Sequence, residues 1–231
     1  MNHGTTLFLL NPPGDISQDS VALEKATVRS ILTALHGSTI HRVVAQSVQG
    51  ARSGQGIGDL GVLYDMEQGL VEWGKPCRIT RAGYYMSNWL MLADEVKNSG
   101  QLPSYFPTQF KLPTVSPTDL GVFNAQHMMK PFDGFKIHNF SGPVEYTPAD
   151  VAQAYSEIFK RPVEVKVIPR EQWLQNYRKT GFSEVSARSY AEMTRVTLDE
   201  APAPEKTKRG PTTLYEYLAE GVRTQSVNVM V

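Results

Sequence analysis

The amino-acid sequence predicts an α/β fold carried by a doubly wound parallel sheet. Three features point there. Short apolar runs of strand length alternate with longer stretches of helical period, Pro- and Gly-rich turns stop the runs, and each strand–helix–strand stretch is long enough to return a parallel strand. Such crossovers are nearly always right-handed, so consecutive units build one sheet.

Leu7-Phe8-Leu9-Leu10 reads as a short buried strand, halted by Asn11-Pro12-Pro13-Gly14. A helix is expected from about Ser20, because Val28, Ile31, Leu32 and Leu35 recur at i, i+3, i+4 and i+7. Gly37 stands where a helix C-cap belongs. A second strand covers Arg42 to Val48 and runs into a glycine-rich loop. From about Asp59 a second helix presents Leu63, Met66, Leu70 and Trp73 on one face, and a third strand follows around Cys77 to Thr80.

Beyond Tyr84 the pattern loosens. Trp89 to Val96 is expected to be helical, Leu102 to Pro107 a loop, Pro117 to Met129 a helix and Phe135 to Phe140 a strand. Thr147-Pro148-Ala149-Asp150 is a strong helix start: Thr147 caps, Pro148 suits the first turn and Asp150 completes a capping box. Val163 to Val167 alternates as a strand with one solvated face. Helices are expected from Arg170 and Ser183, then a linker, Ala201-Pro202-Ala203-Pro204-Glu205-Lys206, and a last helix opened by Thr213 to Glu216.

The bulk numbers narrow the class. Of 231 residues, 41% are hydrophobic and 20% charged, an ordinary globular balance rather than a disordered one. Lys+Arg and Asp+Glu are equal at 23 each, so no long-range field gathers phosphate backbones, which argues against nucleic acid as a direct partner. One cysteine, Cys77, allows no internal disulfide and no C-x-x-C zinc site, and within a strand it is expected to be inert core. No run reaches the roughly 18 apolar residues of a transmembrane helix, and Leu7 to Leu10 is too short for a signal segment. A soluble, cytoplasmic protein is expected.

Several segments carry groups capable of chemistry. Gly56-Ile57-Gly58-Asp59-Leu60-Gly61 matches G-x-G-x-x-G, whose glycines would let a backbone approach a pyrophosphate at a helix N-terminus. The match starts several residues after the strand, however, and no acid follows at the ribose-binding distance, where Arg78, Thr80 and Arg81 stand instead. A loop leading into a helix is therefore expected. Ser47 lies at the C-terminal end of its strand, where doubly wound sheets hold ligands, and Tyr64 follows on the next helix with Gln68 one turn later. A Ser/Tyr pair can polarise a carbonyl and donate a proton if something lowers the tyrosine's pKa of about 10, which the neutral Gln68 does not do. Helix-surface tyrosine and strand-end serine stands as the equal alternative. Asn11-Pro12-Pro13 and Arg81-Ala82-Gly83-Tyr84 also follow strand ends, with Asn11 and Arg81 able to hydrogen-bond a ribose or phosphate. His3, His36, His41, His127 and His138 show no metal-ligand spacing and are read as structural; no metal is expected. Lys206-Thr207-Lys208-Arg209 reads as a solvated linker.

With these residues in order, the chain resembles the NmrA-like family, atypical members of the short-chain dehydrogenase/reductase superfamily. Four stretches carry the resemblance: Leu7 to Pro13; Arg81-Ala82-Gly83-Tyr84-Tyr85-Met86-Ser87-Asn88-Trp89; Thr118-Asp119-Leu120-Gly121; and Phe140-Ser141-Gly142-Pro143-Val144-Glu145-Tyr146-Thr147. The second is similar to the family's arginine-x-glycine-tyrosine-phenylalanine-x-x-asparagine segment and the fourth to its serine-glycine-proline-x-x-tyrosine-threonine segment.

In that family the asparagine-proline-proline strand is the fourth of the sheet. The resemblance thus implies an incomplete Rossmann-type sheet lacking its glycine-rich βα units, on the order of 70 residues at about 30 residues per unit. It further implies residues 1–83 as the later half of an NAD(P)-binding domain, and 84–231 as a mixed region with a small C-terminal α+β substrate lobe.

The expected function is an NAD(P)H-dependent oxidoreductase of a small carbonyl or quinone-type substrate, NADP slightly favoured. Ser47 and Tyr64 would be catalytic; Asn11, Pro12, Pro13, Ser47, Arg81, Ala82, Gly83 and Tyr84 would bind cofactor; and Tyr85, Asn88 and Trp89 would face substrate. The alternatives are a non-catalytic redox sensor that reports to a regulatory protein partner, or a remnant without cofactor binding. An apolar sheet edge left open ahead of Leu7 would favour self-association.

Overall fold

Each strand and helix expected between Leu7 and Thr80 is present in the computed structural model, which describes residues 4–200 and 206–228. The expected linker at 201–205 and the histidine at position 3 lie outside the described residues. The order is β1 (Thr6–Leu9), α1 (Ser20–His36), β2 (Arg42–Val48), α2 (Asp59–Trp73) and β3 (Cys77–Ala82). Asp19 opens α1 by accepting the Ala22 N–H at 3.0 Å. Gly74, with φ at 73°, ends α2 in the left-handed conformation that a side chain disfavours.

The chain divides into two compact units, each assembled from three segments. The first is Met1–Arg81, Phe123–Asn139 and Glu171–Lys206; the second is Ala82–Val122, Phe140–Arg170 and Thr207–Val231.

In the first unit the strands lie side by side as β1-β2-β3-β7, with β7 running over Phe135–Ser141 and leaving this unit after Asn139. The central sheet is parallel: Thr6 to Leu9 pair in register with Arg42 to Ala45. The core is the contact between this sheet and the stripes of α1 and α2. Leu9, Val43, Ala45, Cys77 and Ile79 pack with Val28, Leu35, Val62, Met66, Leu70 and Trp73. Among the described residues β1 has a strand neighbour on one side only, β2, and Phe8 and Leu10 are 42% and 57% exposed. The unit is completed by a 3-10 turn at Arg170–Gln172, α7 (Trp173–Lys179) and α8 (Glu184–Asp199), as the helix starts at Arg170 and Ser183 lead one to expect. Ser183 caps α8 by accepting from the Ser186 N–H.

The second unit holds β4 (Tyr84–Tyr85), α3 (Met86–Leu90), α4 (Ala93–Ser99), β5 (Gln101–Ser104), β6 (Leu112–Val115), β8 (Glu145–Tyr146), α6 (Pro148–Phe159), β9 (Glu164–Val167), β10 (Thr207–Arg209) and α9 (Leu214–Asn228). α5 (Pro117–Met129) begins here and ends in the first unit. A three-stranded sheet has the order β4-β6-β8, and β5 pairs in parallel with β9.

Three expectations need correction. Trp89 to Val96 is not one helix, since α3 ends at Leu90 and α4 begins at Ala93. Leu102 to Ser104 is a strand rather than a loop, because β9 supplies a parallel partner from about sixty positions further along the chain. Thr207 to Arg209 is a strand rather than a linker, placed beside the last residues of β7, where the Gly210 N–H donates to the Ser141 carbonyl at 2.8 Å. The expected capping box is present: Asp150 accepts from the Thr147 N–H at 2.7 Å, and Thr147 Oγ1 accepts from the Asp150 N–H at 3.2 Å.

Candidate functional site

Adjacent residues of a strand point to opposite faces of its sheet, so β2 and β3 each send one polar side chain to either side at their C-terminal ends. On the side of α2, Ser47 Oγ donates to Glu67 Oε1 at 2.6 Å. The Arg81 guanidinium forks onto the same carboxylate, Nε to Oε1 at 2.9 Å and a terminal nitrogen to Oε2 at 2.6 Å. Glu67 is 1% exposed, whereas the Arg81 side chain keeps 25% of its surface. Bidentate pairing of this kind is the strong form of a charge-assisted hydrogen bond. The hydrogen bonds it donates to Glu67 first, and then the charges of Glu67 and Tyr64, hold the Arg81 guanidinium above its ordinary value.

On the other side, Asn124 of α5 closes a neutral network. Its Nδ2 donates to Gln46 Oε1 at 2.8 Å and its Oδ1 accepts from Thr80 Oγ1 at 2.7 Å. Gln46 in turn donates to the Thr80 carbonyl at 3.1 Å. α2 and α5 therefore reach opposite faces of the sheet, as a doubly wound fold requires.

The expected site residues are distributed as follows. Ser47 is buried and committed to Glu67; no hydrogen bond joins it to Tyr64. Tyr64 is half-buried on α2 and close enough to Arg81 for the two to interact electrostatically. Gln68, one turn on, is exposed. Asn11 is half-buried after β1, and its side-chain oxygen is buried without a hydrogen-bond partner; Pro12 and Pro13 beside it are exposed.

Those residues belong to the first unit, and the others to the second. Gly83 cannot carry a side chain, since a Cβ there would lie 2.0 Å from the Pro113 carbonyl oxygen. Ala82 is buried beside it. Tyr84 packs against Trp89 and Phe106 with ring centroids 5.4 and 5.6 Å apart. Trp89 is buried, its indole N–H lacks a partner, and its carbonyl accepts from Tyr155 Oη at 2.7 Å. Tyr85 and Asn88 are half-buried.

Glu67 escaped the sequence reading, although the signal was there. It stands four residues after Leu63 and three before Leu70, inside the apolar stripe of α2, where a charge must find a partner. The G-x-G-x-x-G segment is a loop leading into a helix, as expected. Ile57 fills the space beneath Gly54, the Gly58 N–H is taken by Ser189 Oγ at 3.0 Å, and Asp59 occupies the first position of α2. A carboxyl there repels a phosphate. Cys77 is fully buried, and burial pushes its thiol up to about 11. His127 and His138 stack on one another at 4.9 Å. Among the described residues no group of three metal-ligating side chains forms, and no helix is long and apolar enough to cross a membrane.

The fold is that of the Rossmann-type reductases and epimerases with a parallel central sheet. A triphenylmethane reductase of Citrobacter sp. matches with a TM-score of 0.74 at 15% identity, covering 95% of this chain and 76% of that one. A nucleoside-diphosphate-sugar epimerase of Staphylococcus aureus matches at 0.72 and 17% identity over 93% and 76%. An NADPH-dependent quinone oxidoreductase of Escherichia coli, complexed with NADPH, matches at 0.69 and 17% over 96% and 76%. In sequence, the chain is 27% identical over 132 residues to an NAD(P)H azoreductase of Xenophilus azovorans, a match spanning 57% of this chain and 46% of that protein. The match thus spans about half the length of the curated relative. No family model matches.

Proposed function

We propose that the chain is an NAD(P)H-dependent oxidoreductase of a small carbonyl or quinone-type substrate, with NADPH the favoured donor. The observation that carries this reading is the buried, unpartnered side-chain oxygen of Asn11 at the end of β1, in the same unit as the strand-end residues Ser47 and Arg81. Leaving a buried acceptor unpaired costs about 1–3 kcal/mol, and the outer ends of parallel strands are where such folds take up ligands. The named activities of the similar proteins, reductases of azo, triphenylmethane and quinone compounds, support the substrate class.

The residues present fit one half of a dinucleotide. Asn11 and Arg81 offer hydrogen bonds to a nicotinamide riboside, flanked by Pro12 and Pro13. The glycine segment at Gly54 to Gly58 does not fit a pyrophosphate, for the reasons of packing and charge given above. The cofactor, when bound, supplies hydride. Tyr64 is the proposed proton donor, with Arg81 as the cation near it where Gln68 supplies none. Ser47 acts through Glu67, whose carboxylate its hydroxyl helps fix. Ala82, Gly83 and Tyr84 of the second unit are proposed cofactor contacts, and Tyr85, Asn88 and Trp89 proposed substrate contacts.

The test is calorimetric titration of the chain with NADPH and NADH, followed by reduction of a panel of quinones and azo dyes. Micromolar binding that is lost in Asn11→Ala while the melt is unchanged is the expected result; binding indifferent to Asn11 removes its support. The exposed, uncharged Gln68 favours one second reading, a cofactor sensor without turnover, and binding of NADPH with no consumption across the panel would select it. The open edge of β1, with Phe8 and Leu10 exposed, is further proposed as a self-association surface; a monodisperse monomer in light scattering would exclude that.

A further inference from the structure

Ser47 and Arg81 hold the same place on neighbouring strands, one residue short of the C-terminal ends of β2 and β3. Ligands of such sheets lie beyond those ends. A strand-end hydroxyl can polarise an acceptor's oxygen only if it has an O–H to give. Ser47 has none: its proton goes to Glu67 Oε1 at 2.6 Å, and the residue is 1% exposed.

Arg81 is left with donors to spare. A guanidinium donates from two sides. The side formed by Nε and one terminal nitrogen is spent on Glu67, at 2.9 and 2.6 Å. The other side, which carries Nη1, meets no acceptor among the described residues. Arg78, earlier on β3, makes the contrast. Both of its terminal nitrogens end on main-chain carbonyls, those of Cys77 and Gly134 at 3.1 Å and of Asp133 at 2.9 Å.

Glu67 is 1% exposed while the Arg81 side chain keeps 25% of its surface, so solvent meets this pair through the cation. The buried carboxylate fixes the guanidinium before any ligand arrives, which removes part of the ordering cost of binding.

An acceptor that takes up hydride also takes up its electron pair. As the new C–H bond forms on a carbonyl carbon, the C=O π pair moves to the oxygen, which becomes an alkoxide. A quinone that gains the same pair becomes a hydroquinone monoanion. The dihydronicotinamide of the redox reading is oxidised in that step, and the oxygen then takes a proton from Tyr64. A fixed cationic donor where this charge develops lowers the barrier.

We propose that the open side of Arg81 is an oxyanion subsite, which donates to the acceptor's oxygen as hydride arrives, while Ser47 and Glu67 hold the guanidinium in place. The proposal rests on the redox reading and moves the polarising role from the serine to the arginine.

The subsite is tested on the full chain without cofactor. The probe is para-nitrophenolate, a stand-in for the anionic oxygen, with para-nitroanisole as its uncharged control. Calorimetric titration under mildly alkaline conditions should show the phenolate binding about tenfold tighter, the worth of one hydrogen bond to a charged group. Arg81→Lys keeps a cation for Glu67 but has no second side, so the preference should vanish while the melt stays near that of the unmodified chain. A phenolate that binds no tighter than the anisole, or a preference that survives in Arg81→Lys, overturns the subsite.

Should Arg81→Lys fail to fold, the Arg81 Nε–H resonance of the unmodified chain decides. A shift with the phenolate alone supports the subsite, and any other pattern rejects it. The redox reading fails separately. NADPH binding without a phenolate preference removes the subsite alone, whereas a phenolate preference in a chain that binds no NADPH keeps the subsite and removes the hydride donor.

Discussion

Glu24 and Glu67 occupy comparable places and meet opposite partners. Both stand within the apolar stripe of a helix on the same face of the sheet, and both are almost wholly buried. Glu67 receives a guanidinium and a hydroxyl; Glu24 accepts a backbone N–H from Gly14 and, among the described residues, forms no ion pair with a cation. Burial by itself does not decide what a carboxyl does; the partner does. A cation turns a buried acid into a permanent strut, whereas burial without a cation pushes the acid toward its protonated form.

The largest effect is expected from converting the first situation into the second. Arg81→Met removes the cation and leaves Glu67 buried with Ser47 alone, which should cost about 3 kcal/mol in urea unfolding at neutral pH. Part of that loss should be regained on acidification, because an uncompensated Glu67 then takes up a proton. A loss that is the same at acid and neutral pH would break the comparison.

A smaller effect is expected on the opposite face. Asn124→Ala strips partners from Gln46 and Thr80 and should cost about 2 kcal/mol. All three side chains are neutral, so this loss should not vary across mild pH; a pH-dependent loss would show that the two faces of the sheet are not separate networks.

The smallest effect belongs to Lys25→Ala. The Lys25–Asp65 pair spans 2.9 Å but its side chains are 34% and 50% exposed, so its removal should change stability by less than about 1 kcal/mol. The same change should leave hydrogen exchange at the Gly14 amide, which Glu24 holds, untouched; if it shifts that exchange, Lys25 does act on Glu24 and the partner rule fails there.

Much of this was legible beforehand. The strand–helix order through Thr80 follows from apolar periodicity, and Ser47, Tyr64, Asn11 and Arg81 were placed at strand ends or on the following helix from the pattern alone. What was not legible depends on partners distant in sequence. β5 and β10 are four and three residues long, rich in Pro or Lys/Arg, and become strands because β9 and the end of β7 offer them backbone groups. Glu67 and Glu24 were missed because a periodicity count tallies apolar residues. The informative residue in each helix was the acid that interrupts the stripe.

Cys77 gives the molecule one further property. It is the one cysteine of the chain, it has no exposed surface in β3, and its thiol stays protonated at physiological pH. A thiol reagent can reach it only when β3 parts from its neighbours, so covalent labelling of this single sulfur is a clock for the opening of the sheet. The labelling rate at saturating reagent gives the rate at which that core comes apart, without any introduced probe.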